Sequence, residues 1–178
     1  MTVSRPARLQ REEILRLLEL LEGELRVGGV VGELYVVGGA VMCLALDARD
    51  ATRDVDAFFK PVREIREAAA RVAARVGVDE HWLNDAVKAF LGTRGEFAPY
   101  LELPNLRVFV AEPHYLLAMK CAAMRLGEEF HDLDDVRYLL RHLDIRTAKD
   151  ALEIVTRYFD EDQIPAKTRF ALEELLGG

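Results

Sequence analysis

The stretch Val36-Val37-Gly38-Gly39-Ala40 (VVGGA), followed by Thr52-Arg53-Asp54-Val55-Asp56-Ala57-Phe58-Phe59 (TRDVDAFF), decides how the chain is read. In an extended strand, alternate side chains share a face. Val55, Ala57 and Phe59 then make an apolar face, and Asp54, Asp56 and Phe58 lie opposite. Carboxylates two residues apart are separated by about 7 Å along the backbone, close enough for their oxygens to converge on one ion. Held together they repel, so they need a cation, a proton or basic neighbours. Hard oxygen ligands favour magnesium, which takes one or two carboxylates together with substrate phosphates. Alone, an Asp-x-Asp pair equally describes a charged strand edge that resists aggregation. The upstream glycines shift that balance. Gly38-Gly39 stands between a β-rich run and an apolar helical run, where glycine allows a tight turn and close backbone approach. N–H groups at such a turn form an anion site, although an ordinary strand-to-helix turn has the same sequence.

Working outward, Ile14, Leu17, Leu18, Leu21 and Leu25 recur at helical spacing, so residues 8–26 read as an amphipathic helix ended by Gly28 and Gly29. Strands are predicted at 33–37 and 54–59, and again at 97–103 and 106–110 around the turn pair Pro104-Asn105. Helices are predicted at 40–46, 62–76 and 81–91, then at 113–127, 132–142, 147–158 and 165–176. This order predicts an α+β protein: a small mixed β-sheet flanked by helices over 1–112, and a helical subdomain over 113–178.

With 178 residues the chain is long enough for a real hydrophobic core, and 51% apolar residues against 31% charged residues fit a folded rather than a disordered chain. A net charge of −7 excludes a whole-chain basic field for nucleic acid, so any such contact would be local. The candidate track is Arg49, Arg53, Lys60, Arg63, Arg66, Arg71 and Arg75; Glu64 and Glu67 interleaved among them describe a solvated helix face equally well. No signal-like or membrane-length apolar run is visible, and Cys43 and Cys121 read as reduced core thiols, so a cytoplasmic protein without membrane contact is expected.

The pattern VVGGAVMCLAL…ATRDVDAFF resembles the signature of the DNA polymerase β-like nucleotidyltransferase superfamily: strand, Gly-Gly, helix, then a strand bearing Asp-x-Asp. It is most similar to the minimal bacterial, abortive-infection toxin-like branch. EHWLNDAVKAFL (80–91) and EPHYLLAMKCAAMRLGEEFHDLDDVRYLL (112–140) resemble segments of the same branch, so the likeness covers roughly residues 30–140. The resemblance implies that Gly38 and Gly39 cradle a triphosphate and that Asp54 and Asp56 hold magnesium, with manganese as the alternative. It implies that Thr52 and Arg53 flank the site, that Arg49 reaches a phosphate, and that Lys120 acts on phosphate from the helix after the sheet. Arg125, Asp132 and Asp135 match a further Arg…Asp-x-x-Asp motif. The implied activity is transfer of a nucleoside monophosphate from an NTP to a hydroxyl on RNA, such as tRNA, or on protein. The implied setting is a toxin–antitoxin or phage-defence pair with a cognate antitoxin.

Two departures stand out. Superfamily enzymes often carry a third carboxylate on a later strand, and Leu106–Val110 has none; Glu102, Asp132 and Asp135 are the nearest acids. Ala40 also occupies a place where many relatives have serine. A nucleotide- or partner-binding module on a degenerate transferase fold is therefore the alternative. From the residues alone, Asp132 reads as a helix cap, Asp135 as either a buried partner or a site residue, and Trp82 as a packing residue. Asn84 and Asp85 read as capping or cleft residues, and the four histidines as surface or packing residues.

Overall fold

A 3.6-residue apolar period in Arg11–Val27 (α1) buries Ile14, Leu17, Leu18, Leu21 and Leu25 on one stripe. The computed structural model describes residues 8–85, 94–124 and 132–177. The described chain packs as two units, 8–85 with 97–110 and 94–96 with 111–177.

The first unit contains a two-residue strand Leu9–Gln10 (β1), then α1, Gly32–Val37 (β2), Gly39–Leu44 (α2), Ala51–Thr52 (β3), Val55–Lys60 (β4), Val62–Val76 (α3) and Leu83–Asn84 (β5). Phe97–Leu103 (β6) and Leu106–Ala111 (β7) follow, joined by the turn at Pro104-Asn105. The five-stranded sheet runs β5-β4-β2-β7-β6, and β1 and β3 form a separate antiparallel pair. Within the larger sheet β2 is antiparallel to β4 and parallel to β7, while β4 is parallel to β5, so the sheet is mixed and the α+β class holds.

Period-two alternation decides which side of the sheet is core. Leu34 and Val36 of β2, Val55, Ala57 and Phe59 of β4, and Leu106, Val108 and Val110 of β7 are buried. Helices α1 and α3 pack together over this side, and a Cβ at Gly32 would meet Leu25 and Ile65 from those two helices. Burying a side chain such as Phe59 stabilises by about 1.5–3 kcal/mol. On the opposite side Asp56, Phe58, Tyr35 and Phe109 are half-buried. Register places Tyr35 opposite both Phe58 and Phe109. The Tyr35 ring stacks on Phe109 at 4.9 Å and meets Phe97 edge-on at 5.2 Å.

The second unit carries Pro113–Ala122 (α4), Asp132–His142 (α5), Ala148–Tyr158 (α6) and Ala166–Leu176 (α7). Pro113 occupies the first turn of α4, where its missing N–H costs nothing, and the Thr147 hydroxyl accepts the Asp150 N–H to start α6. The Thr168 hydroxyl donates to the Cys121 carbonyl at 2.7 Å and so ties α7 to α4.

Three sequence expectations are corrected. The helix predicted over 81–91 is absent in its described part: Leu83 and Asn84 instead pair with Val55 and Asp56, and the remainder lies outside the described residues. Helix α4 ends at Ala122, not 127. The acidic strand starts at Val55, one residue later than expected, so Asp54 stands just before it.

Candidate functional site

Strand β2 ends against β4 with Val37 paired to Asp56, and the chain then turns through Gly38. Gly38 adopts φ 68°, ψ −150°, a conformation open essentially to glycine alone. Removing the side chain there also leaves room for Asp56, whose Oδ2 lies 3.4 Å from where a Gly38 Cβ would be. Gly39 begins α2. A Cβ on it would strike the Arg49 guanidinium and lie 2.9 Å from the Thr52 hydroxyl. Thr52 is 7% exposed, and its hydroxyl donates to the Asp54 carbonyl at 3.2 Å, which fixes the bend that leads into β4. Five of the sequence-predicted residues thus converge: Gly38, Gly39, Arg49, Thr52 and Asp56. Asp54 joins them through its backbone, and its side chain is half-buried. Arg53 is exposed.

The donor set can be tested against magnesium. That ion is normally held by one or two carboxylates, with water and substrate phosphates completing the shell, rather than by an all-protein cage. Among the described residues no group of three or more His, Cys, Asp or Glu side chains could hold a metal. Asp54 and Asp56, two half-buried acids, flank Val55 at the start of β4. Glu102 is exposed on β6, the outermost strand beyond β7.

Lys120 of α4 is not a snorkelling surface lysine. Its side chain is only 10% exposed, and its Nζ lies 2.7 Å from Asp135 Oδ2 and 3.3 Å from Asp132 Oδ1, both carboxylates being 5% exposed. Asp132 is the first residue of α5 and Asp135 sits one turn on, so both face α4. The sequence signal was present: a lysine inside the apolar run Leu116, Leu117, Met119, Cys121 calls for a buried counter-charge, and acids three apart on the next helix supply it. Arg125 lies outside the described residues.

Part of the basic track is engaged in ion pairs. Arg63 pairs with Glu67, Arg66 with Asp85, and Arg71 and Arg75 both with Glu24. These are surface pairs of small energetic value. Trp82 is 1% exposed and its indole N–H donates to the Ala69 carbonyl at 3.1 Å, so it holds β5 to α3 and presents no face for a base.

A second polar group on the half-buried side of the sheet escaped sequence reasoning. Glu33 accepts the Tyr35 hydroxyl at 2.8 Å, pairs with Lys60 at 3.1 Å and meets Arg107. The Tyr35 hydrogen bond, with Lys60 and Arg107 beside it, holds the Glu33 carboxyl below the usual carboxylate range. Burial, reinforced by Glu33, pushes the Tyr35 phenol up. Glu33 and Tyr35 share a face by strand alternation, so the pairing was legible in principle once the register was known.

Comparison of the chain with protein-family models, with curated proteins and with solved structures found no match. Among the described residues no helix is long and apolar enough to cross a membrane.

Proposed function

We propose that the protein is a magnesium-dependent nucleotidyltransferase that moves a nucleoside monophosphate from an NTP to a hydroxyl on RNA or protein. The observation that carries this reading is the seating of Asp56 and Arg49 against two adjacent glycines, Gly38 and Gly39. A carboxylate and a guanidinium that both border the Gly-Gly turn are groups that a metal-bound polyphosphate would meet there. Asp54 and Asp56 would hold the ion, whose chemistry is to polarise the phosphoryl group undergoing attack and to neutralise the leaving pyrophosphate. Arg49 balances charge on phosphate oxygens, Thr52 keeps the approach to β4 in shape, and Gly38 lets the backbone come close. The resemblance of the sequence to toxin-like transferases adds a toxin–antitoxin or phage-defence setting to the proposal.

The test is incubation with each labelled NTP, magnesium or manganese, and either total tRNA or the purified protein as acceptor. Transfer that disappears in Asp56→Asn and Asp54→Asn, with both variants folded by circular dichroism, supports the reading. Transfer that survives both substitutions sinks it. A second reading, a nucleotide-binding module without turnover, is favoured by one observation: β7, beside β2, carries Arg107 and Phe109 on the Asp56 side and no acid. Magnesium-dependent NTP binding with no transfer to either acceptor would select it.

A further inference from the structure

We propose that α7 is a self-association surface, through which the protein pairs with a second copy of itself by laying two α7 helices antiparallel about a two-fold axis.

Helix α7 carries Phe170 on its outside, 70% exposed. A single exposed apolar residue needs no explanation by itself. Phe170, however, borders a groove of about 500 Å³ between Leu133 and Arg137 of α5 and the Lys167–Leu175 side of α7. Leu133, Ala171 and Leu175 give that groove apolar walls. A space of this size admits a phenyl ring from outside. Arg137, on its rim, is already paired with Asp134 at 3.2 Å.

The charges on α7 select the occupant. Lys167 and Glu174 stand two helical turns apart, on the same stripe as Phe170 and Ala171. Both are exposed, and among the described residues neither forms an ion pair. The midpoint between Phe170 and Ala171 is also the midpoint between Lys167 and Glu174, so the stripe is complementary to itself when reversed. In an antiparallel pair centred there, Phe170 meets the partner's Ala171, large against small. Lys167 meets the partner's Glu174, and the two-fold axis repeats both contacts. A parallel copy would set lysine on lysine. An acidic peptide would meet Glu174 as well as Lys167, and a basic one the reverse.

The helix dipole points the same way. Acids are favoured at a helix N-terminus and cations at its C-terminus. Helix α7 has no acid in its first turn and no base in its last; Lys167 lies in the first and Glu174 in the last. An antiparallel neighbour brings to each of them both a counter-charge and the opposite dipole end. Two helices of 11 residues, each about 16 Å long, make a small interface of the transient class. Association is therefore weak and set by concentration.

Sedimentation equilibrium of the full chain from about 10 μM to about 1 mM, the range suited to a small interface, tests this. The wild type shifts from monomer to dimer across the series. Phe170→Ala, which removes the anchor from both halves, weakens association about a hundredfold or more. Lys167→Glu and Glu174→Lys each set like charges together at both ends and weaken it about tenfold. All three substitutions fall at exposed positions, and circular dichroism checks that the fold is kept. Mixing Lys167→Glu with Glu174→Lys restores opposite charges at both ends, so the mixture pairs as tightly as the wild type; the doubly substituted chain does so alone. A wild type that stays monomeric throughout overturns the proposal and leaves the groove to another protein. Dimers unaffected by Phe170→Ala place the interface elsewhere and overturn it too. Single charge variants that fail to complement one another overturn the antiparallel register.

Discussion

Replacing Lys120 with methionine tests whether the buried trio of α4 and α5 holds the second unit together. Lys120 Nζ lies 2.7 Å from one Asp135 oxygen and 3.3 Å from one Asp132 oxygen, with side-chain exposures of 10%, 5% and 5%. At an effective dielectric of about 20 those contacts correspond to gross attractions of roughly 6 and 5 kcal/mol. Desolvation of three charges cancels most of that sum. Removing the lysine alone takes away the attraction and leaves both carboxylates buried, so the cost is about 3–5 kcal/mol. For a chain of this length that lowers the melting temperature by about 6–20 °C. The charge count makes the order of variants diagnostic. With all three groups ionised the trio carries −1, and Lys120→Met takes it to −2. Asp132→Asn brings the trio to zero and breaks the longer contact to Lys120, so it costs less than Lys120→Met. Asp135→Asn also neutralises the trio but breaks the 2.7 Å contact, and falls between the two. Urea unfolding followed by circular dichroism at 222 nm measures all three. A Lys120→Met cost below about 1 kcal/mol, or an Asp132→Asn cost equal to it, would refute the reasoning.

The Glu33 cluster gives a pH dependence with a definite sign. A carboxyl held below its ordinary value contributes stability that is present above about pH 4.3 and is lost as pH falls through the folded value. The raised Tyr35 phenol contributes stability that is present below about pH 10 and is lost as pH rises through its folded value. Tyr35→Phe therefore flattens both limbs of a stability–pH curve; an acid limb unchanged by Tyr35→Phe counts against the hydrogen bond as the dominant cause. Burial pushes the Cys121 thiol up to about 12, so in the native protein at pH 8 it is expected to resist thiol reagents until denaturant is added. Rapid native labelling of Cys121, located by mass spectrometry, would contradict the packing of α4.

Much of the fold was legible because its long elements carry clean periods. Val62–Val76 and Asp132–His142 were read to the residue, and the alternation in TRDVDAFF placed Val55, Ala57 and Phe59 in the core. Two-residue strands carry no period at all. Leu9–Gln10 and Ala51–Thr52 form only by pairing with each other, Leu83–Asn84 forms only because the longer β4 offers it a ladder partner, and helical propensity around Trp82 lost to that pairing. For the candidate site, sequence named its residues but not their contacts. That Arg49 rests on Gly39 depends on how the segment after α2 folds back toward β3, and no local rule encodes that return. Lys120 shows the opposite case. Its role on phosphate came from resemblance, whereas an ammonium in an apolar helix already called for the acids that Asp132 and Asp135 provide.

The absence of a third acid on β7 follows from the same alternation that builds the sheet. Leu106, Val108 and Val110 are consumed by the core beneath α1 and α3. The opposite side of β7 offers Arg107 and Phe109, and both are engaged: Arg107 with Glu33, and Phe109 stacked on Tyr35. Placing a carboxylate at 109 would dismantle the aromatic row that joins Phe58, Tyr35, Phe109 and Phe97. A carboxylate at 107 would set an acid beside Glu33 and remove one of its cations. Strand β7 is therefore committed to holding the sheet together, and the charge balance at the glycine turn rests on fewer groups. Under the transferase reading proposed above, Asp54 and Asp56 are the acids left to hold magnesium at the glycine turn, and Arg49 is the cation beside them.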